Sequence, residues 1–335
     1  MESKIKSFKP NIKANTIKSY IGYYNRLHKA LYDTPPMNME WLDDVDKIKQ
    51  YLNKQYANTT KKNIYNALVV ILSANDRDIK LIEKYSELRD DEHSKYEELS
   101  KNHTKTEKMS KNWVNLKEID KLLTKMNKNT NEVYKKRVLK TNEFNSVKEY
   151  IILLTYRNIP LRNDVANMRV LTKKEYEDLS DDDKDRNNYL VGNQTKSPYK
   201  FYINDYKTKK TFGRKVIDIP KKVVTQIRKW LKINKTGYFI PNSNNVGITP
   251  NGITKLFNKI FEREFGKKVS TSMLRHIYLS DKYSNVLKEQ TKDAYNMGHS
   301  LSMAKDYVKE DKSDLPKFDW DVNKIRNFNE KGVVS

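Results

Sequence analysis

Between Tyr85 and Asn112 the chain reads YSELRDDEHSKYEELSKNHTKTEKMSKN. So few of these residues are apolar that the segment cannot bury the surface a core requires. It reads as an exposed helix running into a linker at residues 104–112, which divides the chain into a unit at 1–103 and a second at 113–335. A new apolar pattern begins directly after it, at Trp113, Val114, Leu116, Ile119, Leu122 and Leu123. With 335 residues in all, each half is long enough for a core of its own. No repeat of solenoid length is present.

The first unit has the periodicity of a helical bundle. Ile17, Tyr20, Ile21, Tyr24, Leu27 and Leu31 recur at three- and four-residue steps after an Asn15-Thr16 start signal, and Pro35-Pro36 ends that helix. A second helix carries Leu42, Val45, Ile48 and Leu52, and a third starts near Thr59-Thr60 and buries Ile64, Ala67, Leu68, Ile71 and Leu72. Near the start of the third stand Lys61, Lys62, Asn63 and Asn66, where free amide donors and the helix dipole add to side-chain charge. These four are candidate contacts to nucleic-acid phosphates; a solvated lysine face is the alternative.

The second unit reads as helices interrupted by a small antiparallel sheet, giving a mainly helical α+β fold. Val147–Tyr156 is a buried helix, followed by IPLRNDVANMRV with Pro160 and Arg162. Residues 188–192, 200–204 and 214–220 have the β-branched and aromatic content of short strands. The last two flank Lys207–Gly213, a basic hairpin tip that also holds Lys209 and Lys210. Helices then resume at Val223–Ile233, after Thr249-Pro250, at Ser270–Tyr283, and in the stretch holding MGHSLSMAKDYVKE.

Charge and cysteine content narrow the function. There are 66 Lys+Arg against 43 Asp+Glu, a formal net charge of +23 spread along the chain, which makes a polyanion the expected partner. No cysteine is present, excluding disulfides, zinc ribbons, iron–sulfur sites and thiol nucleophiles. The apolar runs are far short of the roughly 20 residues that span a bilayer, and Met1–Pro10 has no apolar signal core. The expectation is a soluble, intracellular protein with no membrane association.

Five residues suit one chemistry. Arg162 follows a buried helix, Lys207 sits at a hairpin tip, Arg275 lies within a helix, and His299 and Tyr307 follow Gly298. Phosphoryl transfer needs charge on the non-bridging oxygens neutralised, an acid for the leaving alkoxide and a nucleophile. Arginine meets the first need with its bidentate fork, lysine or histidine the second, and a tyrosine among cations the third. The histidines show no metal spacing, and neither a Walker loop nor a nucleophile elbow is present.

At these residues the sequence resembles the tyrosine recombinases, the integrase family of bacteriophage integrases and chromosome-dimer resolution enzymes. PLRNDVANMRV resembles the family's first arginine box at Arg162, and KTKKTFGRKVIDIP its hairpin lysine at Lys207, with Lys209 and Lys210 as rivals. TSMLRHIYLS resembles the second box at Arg275, and MGHSLSMAKDYV the Gly-His-Ser turn with His299 and the nucleophile Tyr307. Tyr283 and Tyr295 replace Tyr307 only if that last alignment fails. Two departures stand out: Ser272 occupies the place of a family histidine, and the step from His299 to Tyr307 is one residue shorter than in many bacterial members.

The resemblance implies a divergent member of viral or mobile-element type, with a core-binding bundle and a catalytic domain forming a C-shaped clamp on double-stranded DNA. It implies cleavage and rejoining through a 3′-phosphotyrosyl bond, with no cofactor and no metal. It also implies a tetrameric synapse in which the apolar tail at 314–335, with Phe318, Trp320, Ile325 and Phe328, docks on a neighbour. The alternatives are a type IB topoisomerase and a DNA-binding relative without catalysis. For Ser272 two roles stay open, a phosphate contact or the cap of the helix beginning near Ser270–Thr271.

Overall fold

The computed structural model describes residues 1–101, 104–195 and 198–309. The chain divides into two compact units, Met1–Thr106 and Glu107–Ser335. The tail at 314–335 lies outside the described residues. Among those described, no helix is long and apolar enough to cross a membrane.

The first unit is built of α1 (Glu2–Phe8), α2 (Ala14–Tyr32), α3 (Val45–Gln55), α4 (Asn58–Ser73) and α5 (Ile79–Lys101). A 3-10 turn at Glu40–Asp43 precedes α3. The apolar stripes of α2, α3 and α4 meet in one core with Ile17, Leu27, Ile48, Leu52, Leu68 and Ile71 buried. The charged α5 belongs to this unit because Tyr85 is fully buried and donates through its hydroxyl to Leu42 O at 2.8 Å. Next along the same face, Glu92 is 4% exposed and pairs with Lys61 of α4 at 2.7 Å. Lys61 also donates to Asn53 Oδ1 at 2.8 Å.

That pairing corrects the sequence reading of Lys61. Its ammonium is buried and committed to an internal partner from a distant helix, so it presents no charge to a ligand. Lys62 is half-buried, with its Nζ 2.8 Å from His93 Nδ1.

The second unit opens with α6 (Glu107–Asn112), which replaces most of the linker expected at 104–112. Lys268 N donates to Asn112 Oδ1 and Lys267 Nζ to Trp113 O, fastening this short helix to its own unit. Next come α7 (Leu116–Val133) and α8 (Thr141–Asn158). The run EYIILLTY makes α8 apolar on nearly all sides, so it lies at the centre of the core, the position such a helix must take. Against it pack α12 (Lys221–Ile233), α13 (Pro250–Phe265) and the first turns of α14 (Thr271–Asn296). Trp230, Phe257 and Phe261 are fully buried there, and each such side chain contributes roughly 1.5–3 kcal/mol by leaving water.

The sheet has the order β1 (Arg169–Leu171), β2 (Tyr189–Val191), β3 (Lys200–Ile203), β4 (Lys215–Asp218). It is mixed and not wholly antiparallel: β2, β3 and β4 alternate, whereas β1 runs parallel to β2 with Val170 opposite Leu190. A parallel neighbour requires a crossover, here α9 (Lys173–Glu177) and α10 (Asp181–Arg186). Thr172 and Ser180 cap these two helices by accepting from Glu175 N and Asp183 N. Between β3 and β4 the basic tip contains a single helical turn, α11 (Lys209–Phe212), closed by Gly213 at φ 71°.

The largest departure from the sequence reading is α14. Expected to end near Tyr283, it continues to Asn296, since no Gly or Pro interrupts Thr271–Asn296. It ends in a Schellman motif: Gly298 takes φ 68°, His299 N donates to Ala294 O at 2.9 Å and Gly298 N to Tyr295 O at 3.1 Å. Ser300 then starts α15 (Leu301–Asp306), accepting from Met303 N.

The Lys61–Glu92 pair yields a stability prediction. Glu92→Ala leaves a buried ammonium without its partner and should lower the unfolding free energy by about 3–5 kcal/mol in urea titrations. The double variant Lys61→Met/Glu92→Leu, which removes both charges, should recover most of that loss.

Candidate active site

Five separate segments of the chain meet in one cleft of about 460 Å³ in the second unit, and among its lining residues are Arg162, Lys207, Ser272 and Arg275. Arg162 stands at the exit of α8, where Tyr156 donates its hydroxyl to Arg162 O. Arg275 lies in the second turn of α14. Asn163 holds the two arginine segments together. Its amide donates to Pro250 O at 2.9 Å and Thr254 Oγ1 at 3.3 Å on α13, and its carbonyl accepts from Thr271 Oγ1 at 2.8 Å on α14.

A second asparagine places the lysine. Asn188, 7% exposed, donates to Asp164 O at 2.8 Å and Asp205 O at 2.9 Å and accepts from the backbone N–H groups of Asn204 and Asp205, both at 2.8 Å. All four of its hydrogen-bonding positions are used. The result is a fixed link from the first arginine segment to the end of β3, from which Lys207 reaches the cleft. The rivals for its role are placed elsewhere. Lys209 donates to Asp185 O at 2.9 Å and pairs with Asp185 Oδ1 at 3.1 Å, and Lys210 is exposed on α11, apart from the cleft lining.

The electrostatics are those of a site built for an anion. Burial and the nearby Arg162 guanidinium both hold Arg275 below the ordinary arginine range. Arg275 Nε is buried with no hydrogen-bond partner, an unmet donor of the kind that costs free energy until an acceptor arrives. Asp164, also lining the cleft, is pushed upward by burial against the opposing pull of Lys215, Arg162 and Arg275. Lys215 on β4 is in turn pushed down by burial, with Asp164 opposing that shift.

Ser272 is not the cap of α14. Ser270 is, accepting from Met273 N at 3.3 Å, while Ser272 accepts from Arg275 Nη2 at 3.2 Å. The hydroxyl steadies the guanidinium and borders the same cleft.

His299 and Tyr307 do not line this cleft. They form a pair of their own, with stacked rings 5.4 Å apart beyond the last turn of α14. The α-helix rises about 1.5 Å per residue, so the uninterrupted axis from Arg275 to Asn296 spans about 30 Å. Tyr307 is 63% exposed. The rival tyrosines Tyr283 and Tyr295 are exposed on α14 itself.

In the first unit, Asn15, Thr16, Ser19, Tyr20, Tyr23, Asn63 and Asn66 line a groove between α2 and α4. Asn66 donates to the Tyr20 hydroxyl at 2.8 Å, and Asn63 is exposed. Of the four residues singled out at the start of α4, the two asparagines share this groove and Lys61 does not.

Sequence reasoning missed Asn163, Asp164, Asn188 and Lys215. Of these only Asp164 carried a signal, an acid two residues after a candidate arginine. Among the described residues, no group of three or more His, Asp or Glu side chains is placed to hold a metal ion.

No family model and no curated protein matches the sequence. Among solved structures the chain is similar to one described as the crystal structure of XerA recombinase. The two share 14% identity over 93% of this chain and 94% of that one, with a TM-score of 0.32.

Asn188→Ala would strand the buried backbone N–H of Asn204, worth about 1–3 kcal/mol, and remove the partner of the part-buried Asp205 N–H. The variant should lose at least about 2 kcal/mol in denaturant unfolding. Asn188→Asp, which keeps the acceptor but turns a carboxylate oxygen toward two carbonyls, should not restore it.

Proposed function

We propose that this chain cuts and rejoins DNA strands by transesterification at a phosphodiester, as a tyrosine recombinase does. The observation that supports this most is the convergence of Arg162, Lys207, Ser272 and Arg275 on one cleft, with an unmet guanidinium donor inside it. A phosphate is the anion that suits two forked cations, and the net charge of +23 suits a polyanionic carrier of that phosphate.

In this reading Arg162 and Arg275 neutralise the non-bridging oxygens as the phosphorus becomes pentacoordinate. Ser272 keeps Arg275 in line. Tyr307 supplies the nucleophile, Lys207 protonates the departing 5′ oxygen, and His299 accompanies the tyrosine. The broken phosphodiester is replaced by a phosphotyrosyl ester of similar energy, so rejoining requires neither nucleotide nor metal. The groove lined by Asn63 and Asn66 is the DNA-facing surface of the first unit; asparagine side chains pair naturally with adenine edges.

A second reading, a DNA-binding relative without catalysis, is favoured by one observation: the nucleophile lies outside the cleft of its own chain. The same observation speaks against a topoisomerase that acts as a monomer, which would require its tyrosine beside its own arginines.

Covalent capture separates these readings. On a nicked duplex that sheds its 5′-hydroxyl fragment, wild type should form an SDS-stable adduct at the 3′ end, and adduct should persist in excess EDTA. Tyr307→Phe should form none. Arg162→Ala and Arg275→Ala should lower the rate by about 100-fold or more. Ser272→Ala, losing one hydrogen bond from the charged Arg275 guanidinium, worth about 1.5–3 kcal/mol, should slow it about 12- to 160-fold. An undiminished adduct from Tyr307→Phe would remove Tyr307 as nucleophile. Salt-sensitive DNA binding by a wild type that forms no adduct would establish the non-catalytic reading.

A further inference from the structure

We propose that Asp185, in the last turn of α10, is a positioning residue for Lys207: by gripping Lys209 and Arg214 it holds the loop that carries Lys207 at the cleft. This deepens the strand-transfer reading above and rests on its assignment of Lys207 as the acid.

The need for such a grip comes from Lys207 itself. It is exposed, and among the described residues it makes no hydrogen bond or ion pair. A lysine stem is flexible over four carbons, so what aims this one is the backbone beneath it. One short segment, residues 185–188, fastens that backbone on both sides. Two residues before Lys207, Asn188 accepts from the N–H of Asp205, as it does from Asn204. Two residues after it, Lys209 Nζ donates to Asp185 O at 2.9 Å and lies 3.1 Å from Asp185 Oδ1.

Arg214, at the far end of the loop, donates through Nε to the same Asp185 Oδ1 at 2.7 Å. Its Nη1 and Nη2 each reach Oδ1 of Asp181, one turn earlier on α10, at 3.1 Å. The neck of the loop is closed within itself: the Tyr206 hydroxyl donates to Gly213 O at 2.8 Å and Lys209 N to Tyr206 O at 3.2 Å. Lys207 is thus the free side chain of a loop whose two ends are tied to one segment.

Asp185 serves this loop and not its own helix. The start of α10 already has the Ser180 cap and three aspartates in its first turn, whereas a carboxylate in the last turn faces the negative end of the helix dipole. The bonds from Arg214, and then from Lys209, offset that and hold the Asp185 carboxyl below the ordinary carboxylate range.

In the reaction Tyr307 Oη bonds to phosphorus as the bond from phosphorus to the 5′ oxygen breaks. Solvent takes the phenolic proton. The departing oxygen takes a proton from the Lys207 ammonium, which recovers one from solvent. A misplaced Lys207 penalises only that last transfer. Sulfur in place of the 5′ oxygen leaves as a thiolate and needs no proton, since a thiol has a pKa of about 8.5.

Single-turnover adduct formation on the nicked duplex, with oxygen and then with sulfur bridging phosphorus to the departing 5′ carbon, tests this. With oxygen, Lys207→Ala should be slower by about 100-fold or more and Asp185→Ala by about 10- to 100-fold. With sulfur, both should react at close to the wild-type rate, while Arg162→Ala stays slow. Adding Asp185→Ala to Lys207→Ala should slow the oxygen reaction by no more than about twofold further, because Asp185 acts through the residue already removed. Arg214→Gln, on the other side of the grip, should repeat the Asp185→Ala pattern. Exposed ion pairs add little to stability, so both single variants should melt near the wild-type temperature.

An Asp185→Ala chain as fast as wild type with oxygen, or equally slow with both substrates, would overturn the positioning role and leave the strand-transfer reading intact. Failure of sulfur to rescue Lys207→Ala would remove Lys207 as the acid, and the positioning role with it. Absence of adduct from wild type on either substrate would instead defeat the strand-transfer reading and everything that rests on it.

Discussion

Two like charges held side by side govern the architecture of the second unit. Arg162 and Arg275 share a cleft, and Arg162 raises the cost of charging Arg275. That opposition has to be met by the surrounding fold. Asn163 meets part of it with bonds to both α13 and α14, and the Asp164 carboxyl interacts electrostatically with both cations. The helices α8, α13 and α14 converge by burying Tyr156, Phe257 and Leu274, and the cleft stays open at the point of convergence because the residues there are charged. An anion entering the cleft would relieve the repulsion and give Arg275 Nε an acceptor.

The elements that position this site were legible in the sequence where they depend on local pattern. The apolar steps of α2 and α4, the β-branched runs of β2, β3 and β4, and the Thr249-Pro250 start of α13 are signals that neighbouring residues carry among themselves. So are the two arginine segments and Lys207. What the sequence hid depends on partners far along the chain. Lys61 looks like any helix-surface lysine until Glu92 closes over it. Asn163 and Asn188 act through bonds to backbone atoms of other segments, and such bonds leave no periodic trace. The parallel edge strand β1 has only three residues, too few for alternation to show. For α14 the pattern misled in another way: its core-facing stripe fades after Ile277, which resembles an ending, yet nothing in the sequence stops the backbone from continuing as helix.

The two units show different uses of polar groups. In the first, Lys61 and Glu92 are buried together, so a charge that resembles a ligand contact is spent on tying α5 to α4. In the second, the comparable expenditure is made with neutral asparagines, leaving Arg275 Nε without a partner inside the cleft. Amides suit that task. They satisfy backbone donors and acceptors at once and add no charge to compete with a phosphate for Arg162 and Arg275.

The unbroken helix that carries His299 and Tyr307 sets an angle as well as a length. Each residue of an α-helix turns the chain by about 100° while advancing it about 1.5 Å. Adding or removing one residue between Ile277 and Ala294 would hardly alter how far the pair extends, yet would swing it around the axis by more than a quarter turn. Changes of seven residues would nearly preserve its direction and shift it by about 10 Å. The exposed stretch of α14 is thus constrained in count: its residue number acts as a phase, fixed for any surface the pair must meet.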